Sequence, residues 1–311
     1  MNIVVTGAAG FIGSNVADAY IKAGHNVIII DDLSSGNREN VNKKAEFHHL
    51  NINDPKVEDI FKNNKIDVVN HHAAQIDVRK SVADPVFDAT SNVLGIIRLL
   101  EYCRKYDVPR FIFSSTAGAI YGEPEYIPAD EKHPIRPLAP YGVSKFCGER
   151  YIQYYHDLFD QDYVILRYPN VYGPRQDPHG EAGVVAIFSG LLLEGKQPKI
   201  FGSGEATRDY LFVGEIVRAN LIVLDKGTNK LMNLGTGIET SVNDLFGKMR
   251  DIIGADVEAI HMPDRPGEVQ GISIDASFAK KTIGWQTKIT LEEGLARTID
   301  FFRDKMKVEA K

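Results

Sequence analysis

Cysteine is scarce in this chain of 311 residues, which has only Cys103 and Cys147. Two cysteines are too few for a disulfide framework or a cysteine zinc site, and neither lies in a C-x-x-C motif. The scarcity excludes both kinds of site. It fits a reducing compartment, so we predict a cytoplasmic protein.

An excess of positive charge is also absent, since 36 lysines and arginines face 42 aspartates and glutamates, for a net charge of -6. This balance argues against nucleic acid or an anionic membrane as the main partner. No apolar run reaches membrane-spanning length, and the first residues lack the basic region and long apolar run of a signal peptide. We therefore predict neither a nucleic-acid partner nor a membrane partner.

Two pairs of adjacent histidines, His48-His49 and His71-His72, are the candidate metal ligands. Adjacent residues point to opposite faces of a strand, and no carboxylate-rich ligand pattern surrounds either pair. We predict that these histidines are structural and that the chain has no metal site.

Hydrophobic residues make up 43% of the chain and charged residues 25%, which is enough to build a real core over about two domains. Short β-branched runs alternate with apolar-periodic segments, a pattern that predicts an α/β fold with a doubly wound parallel sheet. We predict strands at 3–6, 26–30, 68–70, 111–114 and 163–167, and helices at 11–23, 57–63, 87–106 and 141–159.

A glycine turn, Gly7-Ala-Ala-Gly10-Phe-Ile-Gly13, follows the first strand and opens the first helix. Glycine lets the backbone approach a pyrophosphate, and the N–H groups at the helix start face its negative charge. Asp31 ends the second strand about 20 residues later, where a carboxylate accepts hydrogen bonds from the adenosine ribose. The same carboxylate repels the extra phosphate of NADP, so the sequence predicts NAD.

Gly- and Pro-rich loops at 174–180, 202–204 and 263–267 mark a change of character after the last predicted strand, with helices between them at 183–194 and 213–225. We predict an NAD-binding Rossmann domain over residues 1–171. Residues 172–311 are predicted to form mainly a smaller C-terminal substrate-binding lobe, with some segments returning to the first domain. This lobe would lie over the carboxyl edge of the sheet, where ligands of doubly wound folds bind.

Tyr141 and Lys145 lie four residues apart and therefore share one face of a predicted helix. A tyrosine hydroxyl titrates near pH ~10 and abstracts protons poorly at neutral pH unless a cation stabilises the phenolate. Such a pair also occurs by chance on surface helices. Ser114, Ser115 and Thr116 end the strand beside the predicted nicotinamide pocket, and together with the pair they form a proton relay suited to oxidising an alcohol.

The order of these motifs resembles an extended short-chain dehydrogenase/reductase, and within it the UDP-galactose (UDP-glucose/UDP-N-acetylglucosamine) 4-epimerase group. The resemblance runs from the first strand to near the C-terminus. The stretches that carry it are Thr6-Gly7-Ala-Ala-Gly10-Phe-Ile-Gly13, Asp31-Asp32-Leu33-Ser34-Ser35-Gly36, His72-Ala73-Ala74-Gln75, Asn92-Val93, Ser114-Ser115-Thr116, Tyr121-Gly122-Glu123, Tyr141-x-x-x-Lys145, Asn170-Val-Tyr-Gly-Pro-Arg-Gln, Arg208-Asp209-Tyr210 and Arg265-Pro266-Gly267-Glu268.

The resemblance implies an isomerase with a nondissociating NAD. In family terms, Tyr141 takes the proton of the sugar 4-hydroxyl, Lys145 lowers the pKa of Tyr141 and holds the nicotinamide ribose, and Thr116 hydrogen bonds the same hydroxyl. Hydride passes to NAD, the 4-keto sugar rotates, and hydride returns to its other face. The net result is inversion at C4 of UDP-N-acetylglucosamine, UDP-glucose or both.

The resemblance also implies two sets of binding residues. The cofactor set is Gly7, Gly10, Phe11, Ile12, Gly13, Asp31, Asp32, Leu33, Ser35, Gly36, Asn51, Ile52, His72, Ala73, Ala74, Gln75, Asn92, Ser114, Tyr141, Lys145 and Tyr168. The substrate set is Thr116, Ala117, Gly118, Tyr141, Asn170, Gly183, Val184, Val185, Lys199, Ile200, Phe201, Arg208, Arg265, Glu268 and Ile272. Independently, Arg208 and Arg265 lie in loops suited to bidentate contacts with a diphosphate.

Departures from the family pattern leave alternatives open. Asn51 replaces the usual aspartate beside adenine, although its amide oxygen still accepts a hydrogen bond. Ala117-Gly118 stands where nucleotide-sugar 4,6-dehydratases carry an Asp-Glu pair, which disfavours water elimination. A noncatalytic NAD sensor on the same fold is expected to lose Tyr141 or Lys145, and both are present.

Ile272 falls where a bulky aromatic restricts some epimerases to plain hexoses. Isoleucine is intermediate in size, and we predict that 2-N-acetyl sugars are accepted, alongside plain hexoses or instead of them. The family also commonly pairs its two long helices, here 87–106 and 141–159, into a dimeric bundle. Tyr151, Tyr154, Tyr155 and Phe159 would supply its apolar stripe in a homodimer, unless that stripe is simply core.

Overall fold

A parallel β-sheet of seven strands organises the structure, a computed structural model that describes residues 1–178, 183–263 and 269–309. The strands are β1 (Asn2–Thr6), β2 (Asn26–Asp31), β3 (Glu46–His49), β4 (Val68–His71), β5 (Arg110–Thr116), β6 (Asp162–Tyr168), β7 (Asn170–Tyr172), β8 (Lys199–Phe201), β9 (Thr207–Arg208), β10 (Tyr210–Phe212), β11 (Lys230–Asn233), β12 (Thr240–Ser241) and β13 (Ile260–Met262). The order in the main sheet is β11-β6-β5-β4-β1-β2-β3. The predicted α/β fold with a doubly wound parallel sheet is confirmed.

Helices cover both faces of this sheet. They are α1 (Phe11–Lys22), α2 (Val57–Asn63), α3 (Val78–Ala83), α4 (Pro85–Ala89), α5 (Gly95–Lys105), α6 (Gly118–Tyr121), α7 (Pro140–Phe159), α8 (Val184–Leu193), α9 (Val213–Ile222), α10 (Val242–Ile253), α11 (Ser277–Ile283) and α12 (Leu291–Glu309), with a 3₁₀ turn at Arg38–Asn40 and a π-helical stretch at Thr90–Leu94. The helix predicted at 87–106 is therefore interrupted, because the π-helical stretch separates α4 from α5.

The side chains of β1 point alternately to the two faces of the sheet, which shows that the sheet has a core on each face. Ile3 and Val5 are fully buried in the layer formed with α1 and α9. Val4 points the other way and packs with Leu99 of α5 and Ile152 of α7. A strand that is buried on both faces must be apolar throughout, which is the pattern that identified it in the sequence.

A third core lies in the second half of the chain and includes residues of β7, β8 and β10. Three short two-stranded sheets in this half pair β10 with β7, β12 with β9 and β13 with β8. β11 lies well beyond residue 171 and still joins the edge of the main sheet beside β6. The division at residue 171 stays a prediction. In the described ranges, none of the helices has both the length and the apolar character needed to span a bilayer.

Candidate active site

Two glycines of the turn after β1 lie so close to neighbouring backbone atoms that a larger residue would clash. Gly7 has a φ of +70°, and a Cβ there would lie 2.5 Å from the backbone nitrogen of Ala73. A Cβ at Gly13 would lie 2.4 Å from the carbonyl oxygen of Gly7. Gly10 precedes α1 as its N-cap. The turn thus brings backbone N–H groups to the helix start, as a pyrophosphate requires.

Asp31, at the carboxyl end of β2, is only 7% exposed and fastens the turn to the sheet. Its Oδ2 accepts from the backbone N–H of Ala9 and its Oδ1 from that of Leu33, both at 2.8 Å. Burial raises the pKa of this carboxyl. Each carboxylate oxygen retains a lone pair for a ribose hydroxyl, so the residue fits the predicted ribose contact.

Asn51 and Asp32 form a second polar pair beside this turn. The amide of Asn51 donates to Asp32 Oδ2 at 2.6 Å, and its oxygen accepts from the backbone N–H of Asn53 at 2.9 Å. Burial opposes ionisation of Asp32, but hydrogen bonds from Ser34 and Asn51 outweigh it and lower the pKa. One lone pair of the Asn51 oxygen is left for an adenine amino group.

Five more predicted cofactor residues lie next to this turn or to the end of β2 in the chain. Phe11 and Ile12 open α1, and Leu33, Ser35 and Gly36 follow β2.

Ile52 is buried and touches the start of α5, since a Cβ at Gly95 would lie 2.4 Å from its Cδ1. Asn92 is buried in the π-helical stretch and exchanges two hydrogen bonds with the backbone of Gln75. This exchange fixes the segment from His72 through Ala73 and Ala74 to Gln75 after β4.

His72 presents a buried ring nitrogen to this site. Its Nε2 finds no hydrogen-bond partner among the described residues, and its ring stacks on Tyr168 at 6.4 Å between centroids. Burial, and secondarily the charge of Lys145, lowers the pKa of His72 to about 3. A neutral imidazole with an unpaired nitrogen fits a polar ligand group, so the residues of this edge suit a dinucleotide.

The other three histidines of the two adjacent pairs have polar partners within the protein. His71 bonds through Nδ1 to the hydroxyl of Thr6 at 2.7 Å, and His48 bonds through Nε2 to Glu46 at 2.6 Å. His49 Nε2 lies 3.0 Å from the carbonyl oxygen of Asp32. Within the described part of the chain, no group of three or more potential metal ligands occurs.

Tyr141 and Lys145 occupy successive turns of α7 and face the end of β5. Lys145 is 4% exposed, donates to the carbonyl oxygen of Ser114 at 2.9 Å and lies 6.0 Å from the ring centroid of Tyr141. Burial lowers the pKa of Lys145 to about 8, against the opposing charges of Asp88 and Glu149. The ammonium therefore loses its proton at a pH only slightly above neutral.

The predicted lowering of the Tyr141 pKa by Lys145 does not outweigh burial in the chain by itself. Burial of the phenol raises its pKa, and the charge of Asp88 raises it further. The sequence revealed the spacing of the two residues but neither the depth of the phenol nor the nearby carboxylate, and the role of Lys145 stays a prediction.

Thr116 ends β5 opposite Tyr168 of β6, and its hydroxyl accepts from the backbone N–H of Ala119 at 3.3 Å. Ala119 also touches the start of α7, where a Cβ at Gly142 would lie 2.3 Å from its carbonyl oxygen. This contact brings the Thr116 segment against the helix that carries Tyr141.

The neighbours of Thr116 differ in how they meet the site. Ser114 and Tyr168 are buried, with the Ser114 hydroxyl donating to the carbonyl oxygen of His71 and the Tyr168 hydroxyl accepting from Asn220. Ala117 is fully buried. Among the described residues, a Cβ at Gly118 would meet only the side-chain oxygen of Asn170, at 3.9 Å, so this position is open on their side.

The predicted substrate residues of the second half fall into three groups. Arg208 is partly buried in β9 and donates to the carbonyl oxygen of Thr207, and the backbone N–H of Asn170 donates to the carbonyl oxygen of Asp209 at 3.0 Å. Arg208 and Asn170 are thereby held close together. Gly183, Val184 and Val185 begin α8, and Lys199, Ile200 and Phe201 form β8.

Two predicted substrate residues, Arg265 and Glu268, lie outside the described residues. Ile272 is 3% exposed and packs with Ala117, Tyr121 and Ile274. It therefore presents little side-chain surface to a sugar.

Two buried carboxylates near Lys145 were missed by the sequence reasoning. Glu149 accepts two bonds from Arg167, at 2.8 and 2.6 Å, and one from Ser115 at 2.6 Å. Asp88 accepts from the hydroxyl of Ser144 at 2.6 Å. The spacing of four residues from Lys145 to Glu149 was the one available signal.

The chain is similar to nucleotide-sugar epimerases over nearly its whole length. The profile of the NAD dependent epimerase/dehydratase family matches residues 3–235. A UDP-glucose 4-epimerase from Mycolicibacterium smegmatis is 44% identical over 311 residues, covering 98% of this chain and 99% of the relative.

Solved structures agree with this similarity. The UDP-glucose 4-epimerase of Thermotoga maritima with UDP-glucose has a TM-score of 0.97 and 47% identity, covering 98% of this chain and 100% of that one. The UDP-N-acetylglucosamine 4-epimerase of Methanobrevibacter ruminantium in complex with UDP-N-acetylmuramic acid has a TM-score of 0.93 and 35% identity, covering 98% and 99%.

Proposed function

The chain belongs to the NAD dependent epimerase/dehydratase family, and from this membership we propose that it interconverts UDP-glucose and UDP-galactose. It is an isomerase, an NAD-dependent UDP-sugar 4-epimerase like its close relatives. The observation that carries the proposal is the Tyr141–Lys145 pair of α7, in which the buried ammonium of Lys145 donates to the Ser114 carbonyl at the end of β5 and lies 6.0 Å from the ring centroid of Tyr141.

NAD would be held by residues that already have the required form. The close backbone packing at Gly7 and Gly13 shapes the turn that would take the pyrophosphate, Asp31 offers acceptors to the adenosine ribose, and His72 offers an unpaired nitrogen. When bound, NAD supplies the hydride acceptor, and the positive charge of its oxidised ring favours the phenolate of Tyr141.

The protein residues would handle the proton. Tyr141 takes the proton of the sugar 4-hydroxyl and returns it after the sugar has turned. Lys145 supplies a cation that stabilises the phenolate, and its bond to the Ser114 carbonyl keeps that cation at the end of β5. The hydroxyl of Thr116 would bond the same sugar oxygen and orient it.

Asn170 and Arg208 would bind the diphosphate, because a guanidinium matches phosphate oxygens in a bidentate manner. β8 and the start of α8 would border the uridine, which makes the second half of the chain the substrate lobe. Arg265 and Glu268 belong to the same proposal through their position in the sequence.

UDP-N-acetylglucosamine is the second candidate substrate. The open space at Gly118 favours it, since a glycine there adds no side chain to the wall beside Asn170. The buried Ile272 would restrict the sugar less than a projecting aromatic ring. Plain hexoses are nevertheless the first candidates, because the 47% identical structure holds UDP-glucose.

The experiment is to mix purified protein with UDP-glucose and UDP-N-acetylglucosamine separately, without added NAD, and follow the anomeric protons by NMR. Appearance of UDP-galactose supports the proposal, and appearance of the N-acetylated epimer supports the second candidate. A 4-keto-6-deoxy product would instead indicate a dehydratase. No change in any UDP-sugar would favour a noncatalytic sensor.

A homodimer is a further part of the proposal. Val86 and Leu94 on the α4–α5 side and Tyr154 and Leu158 on α7 are large, apolar and exposed. An apolar surface of this kind is typical of a protein interface. Sedimentation of the chain as a monomer at micromolar concentration would contradict it.

A further inference from the structure

Asp88 of α4 is completely buried, and its charge acts on both Tyr141 and Lys145. Its Oδ1 accepts from the amides of Gln75 and Asn92, both at 3.0 Å, and its Oδ2 accepts from the Ser144 hydroxyl at 2.6 Å. These donors come from the segment after β4, the π-helical stretch and α7. Asp88 therefore connects a predicted cofactor segment to the helix that carries the base.

Asp88 and Glu149 differ in whether a cation donates a hydrogen bond to them. All three of its hydrogen-bond donors are neutral, whereas Glu149 is matched by the guanidinium of Arg167. A buried carboxylate requires compensation by a nearby cation as well as hydrogen bonds. The ionisable groups that face Lys145 are Asp88 from α4, Tyr141 and Glu149 from α7, and His71 and His72 from the end of β4.

The two histidines in this set are kept neutral by burial, which lowers their pKa values. They add no cation. Among these groups the ammonium of Lys145 is the one cation, so its charge and that of Asp88 offset each other.

We propose that Asp88 is a positioning residue for the epimerase reaction. Its charge keeps Lys145 in the ammonium form, and its bond to Ser144 fixes the turn of α7 between Tyr141 and Lys145. It acts through these residues and contacts no substrate itself. The inference rests on the proposed function, because the reaction is the assay.

Burial lowers the pKa of Lys145 to about 8, and the negative charge of Asp88 acts in the opposite direction. Removing that charge must lower the pKa of Lys145 further. Because the reaction needs the ammonium, activity should then fall off at a lower pH than in the parent.

Two variants separate the charge of Asp88 from its anchoring bond. Asp88→Asn removes the charge but keeps an oxygen for Gln75 and Asn92, and the Ser144 hydroxyl can rotate to accept from the new amide. Ser144→Ala removes the bond and keeps the charge. Asp84→Asn is the matched control, since Asp84 is the exposed N-cap of the same helix and asparagine caps equally well.

Epimerisation rates are measured from about pH 6 to about pH 10, together with bound NAD. For Asp88→Asn we expect the descending limb to move down by roughly one pH unit, with the KM and the NAD content unchanged. For Ser144→Ala we expect kcat to fall by up to about tenfold at every pH without a shift of the limb. Asp84→Asn should follow the parent.

Superposition of the Asp88→Asn and parent profiles would overturn the charge role. If Asp88→Asn does not fold or loses its NAD, Ser144→Ala decides, because an unchanged kcat in that variant overturns the positioning role and a lowered one supports it. An inactive parent chain overturns the proposed function instead, so the two failures differ.

Discussion

The two proposed binding regions are built in different ways. They are the cofactor edge, at the carboxyl ends of the main-sheet strands, and the substrate lobe, in the second half of the chain. The cofactor edge consists of backbone held by steric fit and buried acceptors, as in the contact of Gly7 with Ala73 and the two backbone bonds of Asp31. The substrate lobe offers charged side chains such as Arg208, carried on paired strands of only two or three residues. The first arrangement is suited to a ligand that stays, and the second to one that enters and leaves.

The comparison predicts its largest effect at Gly7. Gly7→Ala places a methyl group against the backbone of Ala73, which cannot move without disturbing β4. We expect complete loss of bound NAD and of activity. Bound NAD is measured by the absorbance of the NAD released on denaturation, and activity is measured as epimerisation. Gly24→Ala is the control, because Gly24 also has a positive φ but its Cβ would meet no atom of the described residues within 4 Å. Retention of NAD in Gly7→Ala would break the comparison.

Tyr141→Phe tests the point where the two regions meet. Loss of a general base should lower kcat by about 10²–10⁴-fold while bound NAD stays at the parent level. Tyr154→Phe, on an exposed turn of the same helix, should change neither quantity. Activity close to that of the parent in Tyr141→Phe would refute the assigned role.

Arg208→Ala tests the substrate lobe. Removal of a charge-assisted bond should raise the KM for the UDP-sugar by about tenfold to hundredfold, with kcat and bound NAD little changed. Arg303→Ala, which breaks an exposed ion pair on α12, is the control for loss of one arginine. Loss of NAD in Arg208→Ala would mean that the two regions are not separable.

The smallest effect concerns pH. Burial lowers the pKa of Lys145 to about 8, and its proposed role needs the cationic form, so the contribution of Lys145 is full below that pH and is lost as the pH rises through it. We expect a decrease of about fourfold between pH 7 and pH 8.5 in kcat, measured at saturating substrate. A rate that rises steadily over this interval would contradict the role of the ammonium.

Periodicity and turn chemistry predicted five of the seven strands of the main sheet, because each of the five is a short local signal. The two edge strands, β3 and β11, were not predicted. The helix at 87–106 was predicted without its π-helical stretch. That stretch places Asn92 against Asp88, one turn earlier, and against Gln75, 17 positions earlier, and the contact with Gln75 is beyond the reach of helical periodicity.

The candidate site was predictable in its motifs but not in its electrostatics. The spacing of Tyr141 and Lys145 is visible in the sequence, whereas the bond between Ser144 and Asp88 joins residues 56 positions apart. Burial sets the direction of the pKa shifts of both Tyr141 and Lys145, and it is a property of the packed molecule.

Asp31 has a consequence for anyone who would engineer this protein to use NADP. The carboxylate that repels a 2′-phosphate is also the acceptor for the backbone N–H groups of Ala9 and Leu33. Replacing it with a small or basic residue leaves those donors without their acceptor, at a cost of about 1–3 kcal/mol for each one that stays buried. Coenzyme choice and loop shape are thus one design variable, and a successful switch has to redesign the turn together with the residue.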